Sequence, residues 1–249
     1  MTRELLMRGM LAGLAAAFLA VLFARLVGEP QVDLAVGFEA ARARALGAPE
    51  EAELVSRALQ RGLGLFTAIV LYGAAGGGLF SVVFALVYGR VLALGPRTLA
   101  LLLAALAFVC LALIPALKYP PGPPGVGKSE TIDYRTTTYF GALALSLAAM
   151  AAAVHLGRLA GRRFGALNGA LMGAAAYGIL AALALLALPR INEVPPGFPA
   201  DVLWSFRVAS LGIQAVLWSA IGVLFGLMAE HVLQGAALRR GGASPWKPV

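Results

Sequence analysis

The chain has 249 residues, 60% of them hydrophobic and 13% charged, with a mean hydropathy of +0.84. Soluble domains carry about a quarter of their residues as charges, so an ordinary water-soluble globule is excluded. The net charge of +8 would point to nucleic acid in a soluble protein, but here the basic residues sit between apolar runs. No nucleic-acid partner is needed to explain them.

Six apolar runs predict helices at about 5–27, 63–88, 98–117, 139–156, 166–188 and 206–229. Each is close to the roughly 20 residues that cross about 30 Å of hydrocarbon. In lipid the backbone must satisfy its own hydrogen bonds, so the runs are read as α-helices. The predicted fold class is an all-α polytopic membrane protein, one integral membrane domain over 1–249. Its six transmembrane helices form three outward-facing hairpins, with both termini cytoplasmic. The first run follows Arg3 and Arg8 as a signal peptide would. It is long, however, and Arg25, Gly28 and Glu29 make a poor cleavage site, so it is read as a retained helix.

In chain order, Gly28-Glu29-Pro30 ends the first helix and opens the first outer loop, 28–62. Pro30 suits a first helical turn, predicting a short surface helix from Gln31 to Leu46 that carries Asp33 and Glu39. Pro49 with Glu50, Glu51 and Glu53 predicts a further helix start, proline early and acids at the positive end of the dipole. That helix is expected to run directly into the second membrane helix, with Arg57 and Gln60 on one face. A second outer loop spans 118–138 and a third 189–205. Pro195-Pro196-Gly197-Phe198-Pro199 in the third cannot be helix interior. The opposite connections and termini carry Arg3, Arg8, Arg90, Arg97, Arg158, Arg162, Arg163, Arg239, Arg240 and Lys247 against only Glu4 and Glu230. The excess of basic residues marks that side as cytoplasmic. The tail from Gly241 has the composition of a loose end.

The outer loops suggest an internal repeat. Ile114-Pro115 precedes PPGPP, and about 75 residues later Leu188-Pro189 precedes PPGFP, with Arg135 and Arg207 opening the helices that follow. Glu29 and Arg57 would be a weaker first copy. Transporters often place their site at such a repeat interface. A helical hairpin selects proline and glycine at its turn in any case, which is the plainer explanation. Gly122 to Ser129, GPPGVGKS, fits a phosphate-binding loop by letter. Such a loop needs a preceding strand; here a membrane helix precedes it, so no nucleotide is expected. Gly9-x-x-x-Gly13, the Gly165/Gly169/Gly173 series and Gly222-x-x-x-Gly226 are small-residue faces for close helix packing. Tyr72–Gly78 is a glycine-rich patch in the second helix, read as a close crossing or a flexible point.

Candidate chemistry is sparse. The single Cys110 rules out an intrachain disulfide and a cysteine metal cluster. His155 and His231 sit at helix ends in different connections. No Ser/His/Asp or Cys/His set predicts an enzyme. The outer acids are the better lead. Glu29, Asp33, Glu39, Asn192, Glu193 and Asp201 would offer hard oxygen ligands to a divalent cation if the loops folded together. Solvated surface carboxylates are the competing explanation. Arg57, Gln60, Arg135 and Arg207 lie at the outer boundary, where the arginines would pair with those acids as gates. Arg207, Ser210 and Gln214 form one stripe on the sixth helix, a candidate pathway lining. No helix carries a charge near its middle, which is unusual for an ion path.

GEPQVD with the following Phe38-Glu39, ELVSRALQ at 53–60, KYPPGPP with TIDYRT at 118–136, and NEVPPGFPADVLWSFRVASLGIQ at 192–214 together resemble the CbtA family of predicted cobalt transporter subunits. The resemblance covers nearly the whole chain. It implies a bacterial inner-membrane protein in cobalt(II) uptake and a small CbtB-like partner with one membrane helix and a histidine-rich end. It assigns no secure ligand set; its outer motifs match here at Glu29, Asp33, Glu39, Asn192, Glu193 and Asp201. A non-transporting scaffold or sensor subunit is the alternative left open, and so is a homo-oligomer.

Overall fold

The computed structural model describes residues 2–47, 55–91 and 94–239, with side chains to 234. Its elements are all helical, and six are long and apolar enough to cross a membrane. They are α1 (Thr2–Ala45), α2 (Arg57–Val87), α3 (Pro96–Lys118), α4 (Ile132–Phe164, after a 3-10 turn at Ser129–Thr131), α5 (Ala166–Ala187) and α6 (Ala200–Arg239). The predicted cores of all six are found, and most extend beyond their apolar runs. The expected helix start at Pro49 with Glu50, Glu51 and Glu53 lies outside the described residues, as do Arg240 and Lys247.

Two boundaries differ from expectation. The first is the break foreseen at Gly28-Glu29-Pro30, through which α1 runs unbroken to Ala45. A wide π-turn at Ala24–Gly28, where the Glu29 amide donates to the Ala24 carbonyl, makes room for the Pro30 ring and its missing N–H. The second is the continuous helix foreseen into α2. Ser56 is extended, and its side chain accepts from the Leu59 amide, so α2 starts afresh at Arg57. Wide turns recur at Gln60–Gly64 in α2 and Phe108–Leu113 in α3. Gly165, at φ 90°, is the single residue between α4 and α5; a side chain there would be strained.

The chain packs as two compact units, Met1–Phe108 with Val208–Val249, and Val109–Arg207. In the first unit α1 and α2 lie antiparallel along a glycine seam. Gly9 meets Gly77 and Ser81, Gly13 meets Gly73, and the Phe18 and Phe66 rings touch edge to face at 5.6 Å. Against lipid-like surroundings there is no hydrophobic drive between helices, so close backbone approach is what holds such a pair. Helix α6 packs on α2 through Phe225, whose ring meets Phe80 at 5.4 Å and Phe84 at 5.0 Å. It meets α1 where a Cβ at Gly212 would press on the Phe23 ring, and α3 where Gly222 faces Ala104. An Arg97–Glu230 ion pair and the Arg8 guanidinium on the Met228 carbonyl, at 3.2 Å, fasten the ends that carry the termini.

In the second unit α4 and α5 run antiparallel, Gly157 against Gly169 and Gly173. Ser146 Oγ donates to the Cys110 carbonyl at 2.8 Å and lies 2.9 Å from the Tyr177 hydroxyl. The wide turn in α3 contains Cys110, and this buried trio ties α3, α4 and α5 together.

Candidate functional site

In the first unit two acidic residues of α1, Glu29 and Asp33, meet the first residue of α2. Glu29 and Asp33 are four apart and share a helix face. Glu29 Oε2 accepts from Arg57 Nη2 at 2.6 Å, and Asp33 Oδ1 accepts from the same nitrogen at 3.0 Å and from Nε at 3.1 Å. Two carboxylate oxygens therefore converge on one positive atom, and the cluster keeps an excess negative charge. The Glu29 carboxylate is mostly covered, at 14% exposure, while Asp33 is about half exposed at 49%. Both wide turns of this unit flank the cluster: one ends at Gly28, the other starts at Gln60. Arg25 crosses between them to the Arg61 carbonyl at 3.2 Å. Gln60 is turned to the Val55 carbonyl at 2.8 Å, and Glu39 is exposed further along α1.

In the second unit the loop that resembles a phosphate-binding sequence holds a carboxylate of its own chain. Glu193 Oε2 accepts from the Lys128 amide and from Thr131 Oγ1, each at 2.8 Å. Arg135 Nε lies 3.5 Å away, an ion-pair distance without hydrogen-bond alignment. The Gly127 amide reaches the Glu193 carbonyl at 3.3 Å. A helix precedes this loop, as expected, in place of a strand. The Lys128 amide foremost, then Thr131 and the Arg135 charge, hold the Glu193 carboxyl below the ordinary 4.5. Asn192 beside it accepts from the Val194 amide at 3.5 Å, and Asp201 is exposed in the first turn of α6.

A depressed pKa fixes the sign of the pH response. The Glu193 contact is complete above the unfolded-chain value and is lost as pH falls through the depressed folded value. Carbon-13 carboxyl NMR should place the Glu193 midpoint below 4.5, and Thr131→Ala should move it upward. A midpoint at or above the ordinary value contradicts the geometry.

Of the six expected oxygen donors, Glu29 and Asp33 meet on Arg57 within the first unit, and Glu193 is held by the 127–135 segment within the second. Among the described residues no three His, Cys, Asp or Glu side chains form a metal-holding group. Along α6, Arg207 Nε and Gln214 Oε1 are buried without a hydrogen-bond partner among the described residues, while Ser210 is engaged.

The family model described as "Probable cobalt transporter subunit (CbtA)" matches residues 2–230. The chain belongs to the CbtA family. No curated protein and no solved structure matches it. The Glu29–Asp33 pair and the single Glu193 both fall inside the CbtA match, and with six membrane-length helices they sit in a membrane transporter subunit. In this CbtA chain, sequence reasoning missed Thr131 and the Lys128 amide as partners of Glu193. The signal was the refused GPPGVGKS run, whose anion-cradling character is real while its anion is internal. It also missed Trp218, one turn beyond Gln214 on the same stripe.

Proposed function

We propose that this chain is the membrane subunit of a divalent-cation uptake transporter that catches cobalt(II), its cargo, at extracytoplasmic carboxylates. Family membership carries the transporter reading. Convergence of Glu29 and Asp33 on one guanidinium nitrogen supports the capture step. A divalent ion arriving there replaces one positive charge with two among hard oxygen donors. Arg57 then acts as a resident counter-charge that leaves as the ion enters. Glu193 with its counter-charge Arg135 is a further candidate contact within the second unit, and Glu39, Asn192 and Asp201 are the remaining proposed oxygen donors. Arg207, Ser210 and Gln214 line the way inward, with Gln60 at its rim.

In this reading the helices cross a bacterial inner membrane as three outward-facing hairpins with both termini cytoplasmic, on the strength of the basic terminal-side connections. No nucleotide is used. An inward-negative potential supplies about 4.6 kcal/mol per 100 mV for a doubly charged ion. A small CbtB-like subunit is the proposed partner.

Cells expressing the chain with and without that subunit test this directly with radiolabelled cobalt. Glu29→Ala and Glu193→Ala should reduce uptake while co-purification of the partner persists. Unchanged uptake with lost co-purification would favour a scaffold instead.

A further inference from the structure

Trp218 is 5% exposed, yet its indole N–H has no hydrogen-bond partner among the described residues. Gln214 Oε1, one turn earlier on α6, is buried and equally unpartnered. An orphan donor and an orphan acceptor on one helix face, about 6 Å apart along the axis, are costly to leave unmade in an apolar setting. Their chemistry is complementary to water, which accepts from the indole and donates to the amide oxygen. The opposing surface carries a glycine at its contact with the indole. Gly76 of α2 faces the Trp218 ring, where a Cβ would lie 3.9 Å from Cη2, and Phe80 stacks obliquely at 6.5 Å. The glycine patch of α2 thus serves two faces: Gly73 and Gly77 admit α1, and Gly76 leaves room beside Trp218.

We infer that the Gln214–Trp218 face of α6 is a wetted passage through which a divalent cation moves with its water shell. The inference rests on the transporter reading and deepens it. With no ionisable side chain in the middle of α6, a strongly hydrated ion keeps its waters, and the face needs neutral groups that bind water. A carboxamide oxygen and an indole N–H fit that need. Leu217, Ile221 and Phe225 are fully buried around it and make the surrounding packing dry.

The test uses the full chain in membranes, in a Cys110→Ala background. Gln214→Cys should react with a membrane-impermeant cationic thiol reagent about a hundredfold faster than Val223→Cys, which faces outward on the same helix, because lipid suppresses the thiolate. Co(II) should slow that reaction at least tenfold. A second protein, carrying Trp204→Phe and Trp246→Phe, leaves Trp218 as its sole tryptophan and needs no new cysteine. Its emission should be that of a hydrated indole and be quenched saturably by Co(II). Slow labelling, labelling indifferent to Co(II), or unquenched emission typical of hydrocarbon overturns the inference. Cobalt uptake by the unmodified chain is measured beside these. Uptake with an unreactive Gln214→Cys defeats the passage and spares the transporter, whereas absent uptake with Co(II)-protected labelling does the reverse.

Discussion

Arg57→Gln should bind Co(II) about tenfold more tightly than the unmodified chain, because it removes the positive charge that competes for Glu29 and Asp33. One guanidinium nitrogen now satisfies both carboxylates, so an incoming ion must displace it. Charge pairs near a surface are worth about 1 kcal/mol or less, and partly covered ones more, which brackets a tenfold change, about 1.4 kcal/mol, from within. Arg57→Lys keeps the charge and should keep the original affinity. Glu29→Gln with Asp33→Asn should abolish the gain. Without metal, Arg57→Gln should lose about 1–3 kcal/mol of stability, the cost of leaving charged acceptors unmet. Added Co(II) should restore it, because a ligand that binds only the folded form stabilises that form. Titration calorimetry and thermal unfolding in mild detergent read both effects. Equal affinity in Arg57→Gln and the unmodified chain would mean that Arg57 is a structural tie and nothing more.

Gly77→Ala should be among the most damaging single methyls at the described glycines. A Cβ there would run into the Gly9 carbonyl and lie 2.8 Å from the Gly13 Cα, both rigid backbone. Overpacking of this kind costs about 1–3 kcal/mol, and here no flexible side chain is available to yield. Gly13→Ala should behave alike, meeting the Gly73 carbonyl. Gly37→Ala is the contrast. Nothing lies within 4 Å of its Cβ, and the helix gains about 0.5–1 kcal/mol from the lost glycine freedom. Unfolding in mixed micelles with rising SDS orders the three variants. A Gly77→Ala protein as stable as the unmodified chain would show that the seam is loose.

Much of this was legible in the sequence. Hydropathy runs marked six helices because lipid leaves the backbone little alternative. The Gly9/Gly13 spacing correctly announced a close crossing, and Tyr72–Gly78 supplied its other side. Helix-start positions marked Arg57, Arg135 and Arg207 as a group facing the outer acids, but which acid each would meet was not legible. The pairs Arg57 with Glu29 and Asp33, and Arg135 with Glu193, come from the structure. The wide turns were not legible, since a π-turn is set by tertiary accommodation and has no residue signature. That is also why Pro30, normally punctuation, sits inside α1. The loop cradle around Glu193 was hidden because backbone amides donate whatever side chain they carry.

The most direct measurement is Co(II) entry into liposomes containing the purified chain, alone and with the small subunit, read by a trapped metal-sensitive dye under an inside-negative potential. Potential-dependent entry that the Glu29→Gln/Asp33→Asn protein loses, while remaining folded, is the result expected here. Entry at the same rate with those carboxylates neutralised would contradict cation capture at the Arg57 cluster.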